Sequence, residues 1–225
     1  MIELLKKVNL FSTMNEKQLL SISNCCVLKN YKAGTILFRE KEMGSIFYIV
    51  VAGTVKVYTS NEDGEEKILN IFSDGEAFGE LALLDGKPRS ATAEAVEDTK
   101  VLSLTAHDFT GLLRSNFEIT QGIIKELCSR LRETNQHVYD LTFLDVKQRV
   151  VKNLVRLAAK YGRREGDLIT IHMKLNYAEI SQMASVPQNM LFQVFKDLQN
   201  KHILQLNQNE IRLNLARINL VKDGR

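Results

Sequence analysis

The spacing of apolar residues changes once along the chain, near His107, and this change limits the folds that its 225 residues can adopt. Before it, short β-branched or aromatic segments alternate with glycines, and seven of the twelve glycines lie between Gly34 and Gly86. Regular turn signals between short strands predict an antiparallel barrel or roll. After it, the period is about 3.5 residues, which is typical of helix. The expected strands cover residues 35–38, 46–51, 54–58, 67–71 and 100–104.

The helical region beyond His107 holds one heptad register for about four heptads. Seven of its nine a and d positions are apolar and two are threonines. This pattern predicts a parallel two-stranded coiled coil and therefore a homodimer. A helix that packs along its own barrel would show a wider apolar stripe, so a monomer is the alternative. The nine positions are Leu113, Phe117, Thr120, Ile124, Leu127, Leu131, Thr134, Val138 and Leu141.

Residues 176–200 read NYAEISQMASVPQNMLFQVFKDLQN, which is the spacing of a helix-turn-helix with its turn at Ser185 and Val186. The segment ILQLNQNEIRLNL follows, with a polar turn at residues 207–209, and predicts a β-hairpin wing. The alternative is a structural element that binds DNA weakly or not at all. The candidate DNA-contacting residues at the start of the second helix are Gln188, Asn189, Gln193 and Lys196.

The net charge of +3 hides a division between the two parts of the chain. Residues 1–145 carry 16 basic and 21 acidic side chains, a net charge of −5, whereas residues 146–225 carry 14 and 6, a net charge of +8. A basic C-terminal third favours contact with nucleic-acid phosphates, because neutralising them releases counterions. A solvated basic surface without a partner is the alternative.

These patterns predict an α+β protein with three parts: a β-roll with N-terminal helices at 1–106, a dimerisation helix at 107–145, and a winged helix-turn-helix domain at 146–225. A family resemblance described below implies that the second part ends in a hinge. The sequence has no run that is long and apolar enough for a bilayer span, so we expect a cytoplasmic protein without membrane contact. The three cysteines are an odd number at spacings that fit neither a disulfide framework nor a four-cysteine cluster, and the histidines are dispersed without metal-ligand spacing, which predicts neither a metal site nor a catalytic centre. They are Cys25, Cys26, Cys128, His107, His137, His172 and His202.

Residues 78–93 read FGELALLDGKPRSATA and combine the groups that a sugar phosphate needs. Gly79 lets the backbone approach a ligand closely, and Glu80 can accept from a ribose hydroxyl. The segment from Leu81 to Leu84 predicts a short helical turn with free N–H groups. The forked guanidinium of Arg89 suits a phosphate, and Ser90 adds a hydroxyl beside it.

This stretch resembles the phosphate-binding cassette of the cyclic-nucleotide-binding domain family, which includes the bacterial Crp/Fnr regulators. The resemblance implies that Glu80 binds the ribose 2′-hydroxyl and that Arg89 and Ser90 bind the cyclic phosphate. It also implies that the backbone of Gly79 and Leu81 lies near the same group. The alternative is a degenerate cassette that keeps the fold without the ligand.

A second resemblance lies at residues 130–146, which read RLRETNQHVYDLTFLDV. Crp-like activators that bind cyclic AMP have a similar stretch, RLxxTSxxVxxLxFLDV, in which the Thr and Ser contact the adenine amino group. Thr134 falls on that threonine, and Asn135 replaces the serine. Because an amide both donates and accepts, cyclic GMP is not excluded. Arg130 either pairs with Glu80, lies near the ribose or is a surface residue, and Asp145 is the expected N-cap of the next helix.

The C-terminal third resembles the winged-helix domains of Crp/Fnr proteins but departs from them at the reading residues. Many members have Ser-Arg-Glu-Thr-Val-x-Arg where this chain has PQNMLFQ at 187–193. Because Gln and Asn favour adenine, we expect a target that differs from the TGTGA half-site. The loop at 162–167, with Arg163 and Arg164, is a candidate contact with RNA polymerase or a solvated basic loop.

Together these features predict a homodimeric, cyclic-AMP-responsive transcription regulator that binds a palindromic site in double-stranded DNA and has no catalytic activity. The first alternative is a Crp/Fnr regulator with another effector or none. The second is a cyclic-nucleotide sensor whose basic tail contacts another protein.

Overall fold

A computed structural model describes residues 2–11, 14–172, 175–207 and 210–222. The chain forms two compact units, Met1–Thr134 and Asn135–Arg225, whose boundary falls inside one long helix. The helices of the first unit are α1 (Ile2–Leu5), α2 (Glu16–Cys25), α3 (Leu81–Asp85), α4 (Ala106–Ser115) and the larger part of α5 (Phe117–Phe143), with a short 3-10 helix at Asn9–Phe11.

The first unit contains two four-stranded antiparallel sheets, with strand orders β1-β8-β3-β6 and β2-β7-β4-β5. This confirms the predicted antiparallel β-roll, and all five expected strands are present. Strands β1, β6 and β7 were not predicted. The strands are β1 (Val27–Tyr31), β2 (Ile36–Phe38), β3 (Ile46–Ala52), β4 (Val55–Ser60), β5 (Glu66–Phe72), β6 (Ala77–Phe78), β7 (Thr92–Ala95) and β8 (Thr99–Thr105).

Strand β3 separates two apolar cores, because successive side chains of a strand point to opposite faces. Phe47 and Ile49 lie in a core that also holds residues of α2, α4 and α5. Tyr48 and Val50 lie in a second core with residues of the other sheet, such as Val55 and Phe72. The sheet is therefore covered on both faces, and the pocket described below opens beside the second core.

Helices α4 and α5 are separate, whereas the heptad register predicted one continuous helix through Leu113. Asn116 has φ −136° and ψ 96°, so its backbone is not helical, and Leu113 belongs to α4. Within α5, Ile119 and Ile123 are buried in the first core although neither is a register position. The apolar register positions that remain exposed on α5 are Phe117, Ile124, Leu131, Val138 and Leu141.

The second unit contains the helix-turn-helix and a four-stranded antiparallel sheet of order β11-β12-β10-β9. Asp145 caps α6 as expected, and Gln148 completes the capping box. Residues 162–165 form a strand of a hairpin, so the prediction of a loop there was wrong. The elements are α6 (Val146–Tyr161), β9 (Gly162–Glu165), β10 (Leu168–His172), α7 (Tyr177–Ala184), α8 (Gln188–Asn200), β11 (Leu204–Asn207), β12 (Glu210–Asn214) and α9 (Leu215–Lys222).

The wing is confirmed as the antiparallel pair β11 and β12, in which Leu204 lies opposite Leu213. Its predicted turn includes residues 208 and 209, which lie outside the described residues. The turn between α7 and α8 is at Ser185, whose φ of 52° is left-handed. The predicted helix-turn-helix is therefore present.

Candidate functional site

Arg89 is buried in the first unit, with 5% of its surface exposed. Its Nη1 donates to the Gly79 carbonyl and its Nη2 to the Ile46 carbonyl, both at 2.6 Å. The guanidinium carbon lies 4.1 Å from the centre of the Phe38 ring. Burial lowers the pKa of Arg89, but an arginine stays ionised at neutral pH. The protein thus holds a cation in a largely apolar pocket.

Two glycines allow the backbone to lie close to this guanidinium. Gly79 has φ 84°, and a Cβ there would lie 2.9 Å from Arg89 Nη1. A Cβ at Gly44 would lie 2.5 Å from Cβ of Ala82 and 3.1 Å from Arg89. Because neither position has room for a side chain, both glycines shape the pocket. Gly79 was predicted and Gly44 was not.

The loop before β7 is fixed by backbone hydrogen bonds around Arg89. The Arg89 N–H donates to the Glu42 carbonyl at 2.8 Å, and the Lys41 N–H donates to the Arg89 carbonyl at 2.9 Å. Ser90 follows directly and is exposed at the pocket. These bonds fix the backbone of Arg89 on both sides, and Arg89 and Ser90 line the same cavity.

Glu80 is 3% exposed, and its two carboxylate oxygens have different surroundings. Oε1 accepts from Arg130 Nη1 at 2.7 Å. Oε2 is buried and has no hydrogen-bond partner among the described residues. Arg130 also donates from Nη2 to the Ala77 carbonyl at 2.6 Å, and its guanidinium lies 4.8 Å from the Phe72 ring centre. A buried acceptor without a donor is costly, so Oε2 is suited to a hydroxyl that a ligand would bring.

A cavity of about 70 Å³ connects these groups. The cavity is lined by all five predicted cassette residues and by Arg130. Pairing with Glu80, which the structure shows, was one of the three roles considered for Arg130. Thr134 does not line it; its hydroxyl is exposed and donates to the Arg130 carbonyl at 2.8 Å. Asn135 is exposed in the second unit. The lining residues are Phe38, Val57, Phe72, Phe78, Gly79, Glu80, Leu81, Ala82, Arg89, Ser90, Ala91 and Arg130.

The four candidate DNA-contacting residues share the exposed face of α8: Gln188, Asn189, Gln193 and Lys196. The opposite face of α8 is buried, through Leu191, Val194, Phe195 and Leu198. Two contacts fix the turn before α8. Arg149 of α6 donates from Nη2 to the Ser185 carbonyl at 3.3 Å, and the Ser181 hydroxyl donates to the Val186 carbonyl. These contacts attach the turn before α8 to α6 and α7.

The end of α5 carries a buried carboxylate, Asp140, which is 2% exposed. Its Oδ1 accepts from Lys152 Nζ at 2.6 Å and from Gln136 Nε2 at 3.0 Å, and Arg156 Nη2 lies 3.5 Å from Oδ2. Burial alone raises the pKa of Asp140, but the donors outweigh it and hold the net pKa below its ordinary value. This cluster joins the last turns of α5 to α6, and the sequence analysis did not identify it.

None of the helices in the described ranges combines the length and apolar composition that a bilayer span requires. Among the same residues, no three His, Cys, Asp or Glu side chains are grouped so that they could hold a metal ion.

Comparison with known proteins agrees with this fold. Residues 28–116 match the family model of the cyclic nucleotide-binding domain. The chain is 27% identical over 204 residues to the CRP-like cAMP-activated global transcriptional regulator of Mycobacterium tuberculosis, covering 91% of each chain.

Solved structures with the same fold include the following two. One is a CooA mutant from Carboxydothermus hydrogenoformans, with a TM-score of 0.78, 21% identity and coverage of 96% of this chain and 94% of that one. The other is the c-di-GMP responsive global regulator CLP of Xanthomonas campestris, with a TM-score of 0.74, 20% identity and coverage of 89% and 99%.

A cyclic nucleotide-binding roll, a long helix and a winged helix-turn-helix in one chain define a ligand-responsive regulator of transcription rather than an enzyme. Over most of its length the chain is similar to Crp-like regulators of transcription.

Proposed function

We propose that the protein is a cyclic-AMP-responsive regulator that binds a palindromic DNA site as a homodimer. The observation that carries this proposal is that Glu80, whose Oε2 has no hydrogen-bond partner among the described residues, lines the same cavity as Arg89. The carboxylate would accept from the ribose 2′-hydroxyl, and Arg89 with Ser90 would bind the cyclic phosphate. One acceptor and one cation match the two polar ends of a nucleoside cyclic phosphate.

The size of the cavity supports a link between binding and conformation. Its volume of about 70 Å³ is below the roughly 300–1,000 Å³ of typical small-molecule pockets, so a nucleotide that it encloses would have to widen it. Arg130 of α5 forms part of its wall. Widening on this side would move Arg130 and break its bonds to Glu80 and Ala77. A ligand that binds the widened conformation more tightly than the narrow one would shift the protein, and with it α5, toward the widened conformation. The size of the shift is set by the difference between the two affinities.

The choice of cyclic AMP rests on Thr134 and Asn135 and on the name of the mycobacterial relative. In the proposed dimer, these two exposed side chains would contact the adenine amino group across the subunit interface. The structural neighbour CLP is named for c-di-GMP, and this favours a regulator with a different effector as the second candidate.

The dimer would form along α5, within the segment 107–145. Phe117 is 77% exposed and Leu131 is 62% exposed, as register positions would be before a partner helix covers them. Ligand binding would then reorient the C-terminal domains about residues 143–145. In the competent arrangement, the two α8 helices would enter successive major grooves about 34 Å apart. The net charge of +8 of residues 146–225 supports contact with DNA phosphates.

The hairpin of β9 and β10 presents Arg163 and Arg164 as exposed side chains, which supports contact with RNA polymerase. Because the proposed partners are DNA and the transcription machinery, the proposed location is the cytoplasm.

Calorimetric titration of the full-length protein with cyclic AMP, cyclic GMP and c-di-GMP tests the proposal, with sedimentation to verify a folded dimer. We expect saturable binding of cyclic AMP and higher affinity for duplex DNA in its presence. Heat only from another nucleotide would select the second candidate. No heat from any of them, with a folded dimer, would contradict the effector proposal.

A further inference from the structure

Helix α8 has an exposed face without a charged side chain in its first two turns. At about 100° per residue, this face from Gln188 to Lys196 covers an arc of roughly 140°. The buried face of α8 lies outside that arc. Between Gln188 and Gln193, the helix rises about 7.5 Å, which is enough to reach two or three base pairs. The residues of the arc are Gln188, Asn189, Phe192, Gln193 and Lys196.

Phe192 lies within this arc and is 48% exposed. Its ring centre lies 4.7 Å from that of Tyr177, the first residue of α7. The Tyr177 ring also lies 5.8 Å from the Phe195 ring. An aromatic side chain is thus held in place among three amide side chains, on the face that the helix-turn-helix would direct at DNA.

The chemistry of the face distinguishes between base pairs. An Asn or Gln amide pairs with N6 and N7 of adenine, and an apolar side chain packs on the C5-methyl group of thymine. Arg or Lys is the usual reader of guanine, and Asp or Glu accepts from cytosine N4. The first two turns of α8 contain none of these four residue types.

We infer that α8 reads an A·T-rich half-site in which Phe192 packs against thymine methyl groups while Gln188, Asn189 and Gln193 pair with adenines. Tyr177 positions the Phe192 ring. Lys196 contributes through phosphate contact. This inference rests on the proposed DNA-binding function and specifies which bases that function recognises.

The test starts with the full-length protein and a random pool of duplex DNA at low salt, with and without cyclic AMP. The retained duplexes are sequenced, and affinity is measured for a selected duplex and for the same duplex with deoxyuridine in place of thymine. This replacement removes only the C5-methyl group. We expect A·T-rich half-sites and a loss of affinity of about fourfold per thymine in contact with Phe192, the scale of one buried methyl group.

Phe192→Ala should bind the thymine and deoxyuridine duplexes equally well. Phe192→Leu keeps an apolar side chain and should retain part of the discrimination, which separates the readout from a loss of folding. Met190→Ala is the matched control, because Met190 is exposed on α8 outside the arc and its loss should leave the discrimination unchanged.

G·C-rich half-sites, or full thymine discrimination by a folded Phe192→Ala variant, would overturn the inference and leave DNA binding intact. Recovery of no motif by a folded dimer, under both nucleotide conditions, would overturn sequence-specific DNA binding itself and the inference with it.

Discussion

Arg130 Nη1 lies 2.7 Å from Glu80 Oε1 and connects α5 to the turn before α3. The Glu80 side chain is 4% exposed and that of Arg130 is 20% exposed, so solvent screens this ion pair only weakly. The proposed ribose acceptor and the helix that would report binding are therefore in direct contact.

Glu80→Gln should weaken the binding of cyclic AMP by about 1.5–3 kcal/mol. An amide is a poorer acceptor than a carboxylate, and the variant has no negative charge opposite Arg130. Glu126→Gln is the matched control. Glu126 accepts from Nε of the same arginine at 3.1 Å, but its side chain is 54% exposed. Its loss should change the affinity by less than about 0.5 kcal/mol. Equal effects in calorimetry would contradict the role of Glu80.

Arg89→Leu should abolish nucleotide binding. It should also lower the free energy of unfolding by about 1–3 kcal/mol, because the Gly79 and Ile46 carbonyls lose their donor. The structure thus predicts a larger cost in stability than the motif alone suggests. Calorimetry and urea unfolding measure the two effects, and Arg39→Leu, at an exposed arginine on the same unit, is the control. Near-normal affinity in folded Arg89→Leu would place the ligand elsewhere.

Thr134→Ala should weaken the binding of cyclic AMP by about 1–2 kcal/mol, because the Thr134 hydroxyl is proposed to contact the adenine in the dimer. Thr142→Ala is a close control, because the Thr142 hydroxyl donates to the Val138 carbonyl at 2.9 Å in the same way that Thr134 bonds to Arg130. Both changes remove the same local bond, but only the first removes the proposed ligand contact. Identical affinities for the two variants would argue against that contact.

Leu131→Asp should convert the dimer to monomers, because it places a charge in the exposed apolar row of α5. Sedimentation over a range of concentrations measures the change. Arg132→Asp, at the exposed neighbouring position outside the register, should remain dimeric. A wild-type protein that sediments as a single chain at micromolar concentration would rule out the coiled-coil interpretation.

Asp140→Asn should lower the free energy of unfolding by about 1–3 kcal/mol at neutral pH. The folded pKa of Asp140 is below the ordinary value of 3.8, so the unfolded state takes up the proton first. The stabilisation that the ionised Asp140 gives the folded state is therefore complete above about pH 4 and decreases as the pH falls through the folded pKa. In urea unfolding between pH 3 and 7, the difference in the free energy of unfolding between wild type and variant should become smaller below about pH 4. A difference that grows in acid would contradict this.

The sequence groups the five cassette residues because they are consecutive or separated only by α3 and a short turn, so local chemistry identifies them as a set. The partners that complete the pocket come from distant strands. The Ile46 and Ala77 carbonyls have no residue-type signal, and Phe38 reads as an ordinary strand residue. Only the folded roll brings them to Arg89 and Arg130.

The long helix shows a different limit of periodicity. A 3.5-residue pattern continued across Asn116, where the chain leaves the helix, and it overlooked Ile119 and Ile123. These two residues form a second apolar row that packs on the roll. Each of them precedes a predicted register position by one residue. A single register cannot represent a helix with two apolar rows.

The central claim is that Glu80 and Arg89 jointly bind one cyclic nucleotide. A crystal structure of the dimer grown with saturating cyclic AMP tests it most directly. We predict a ribose hydroxyl within hydrogen-bond distance of Glu80 Oε2 and a cyclic phosphate on Arg89 and Ser90. An empty roll, or a nucleotide bound at another place in the protein, would contradict the account.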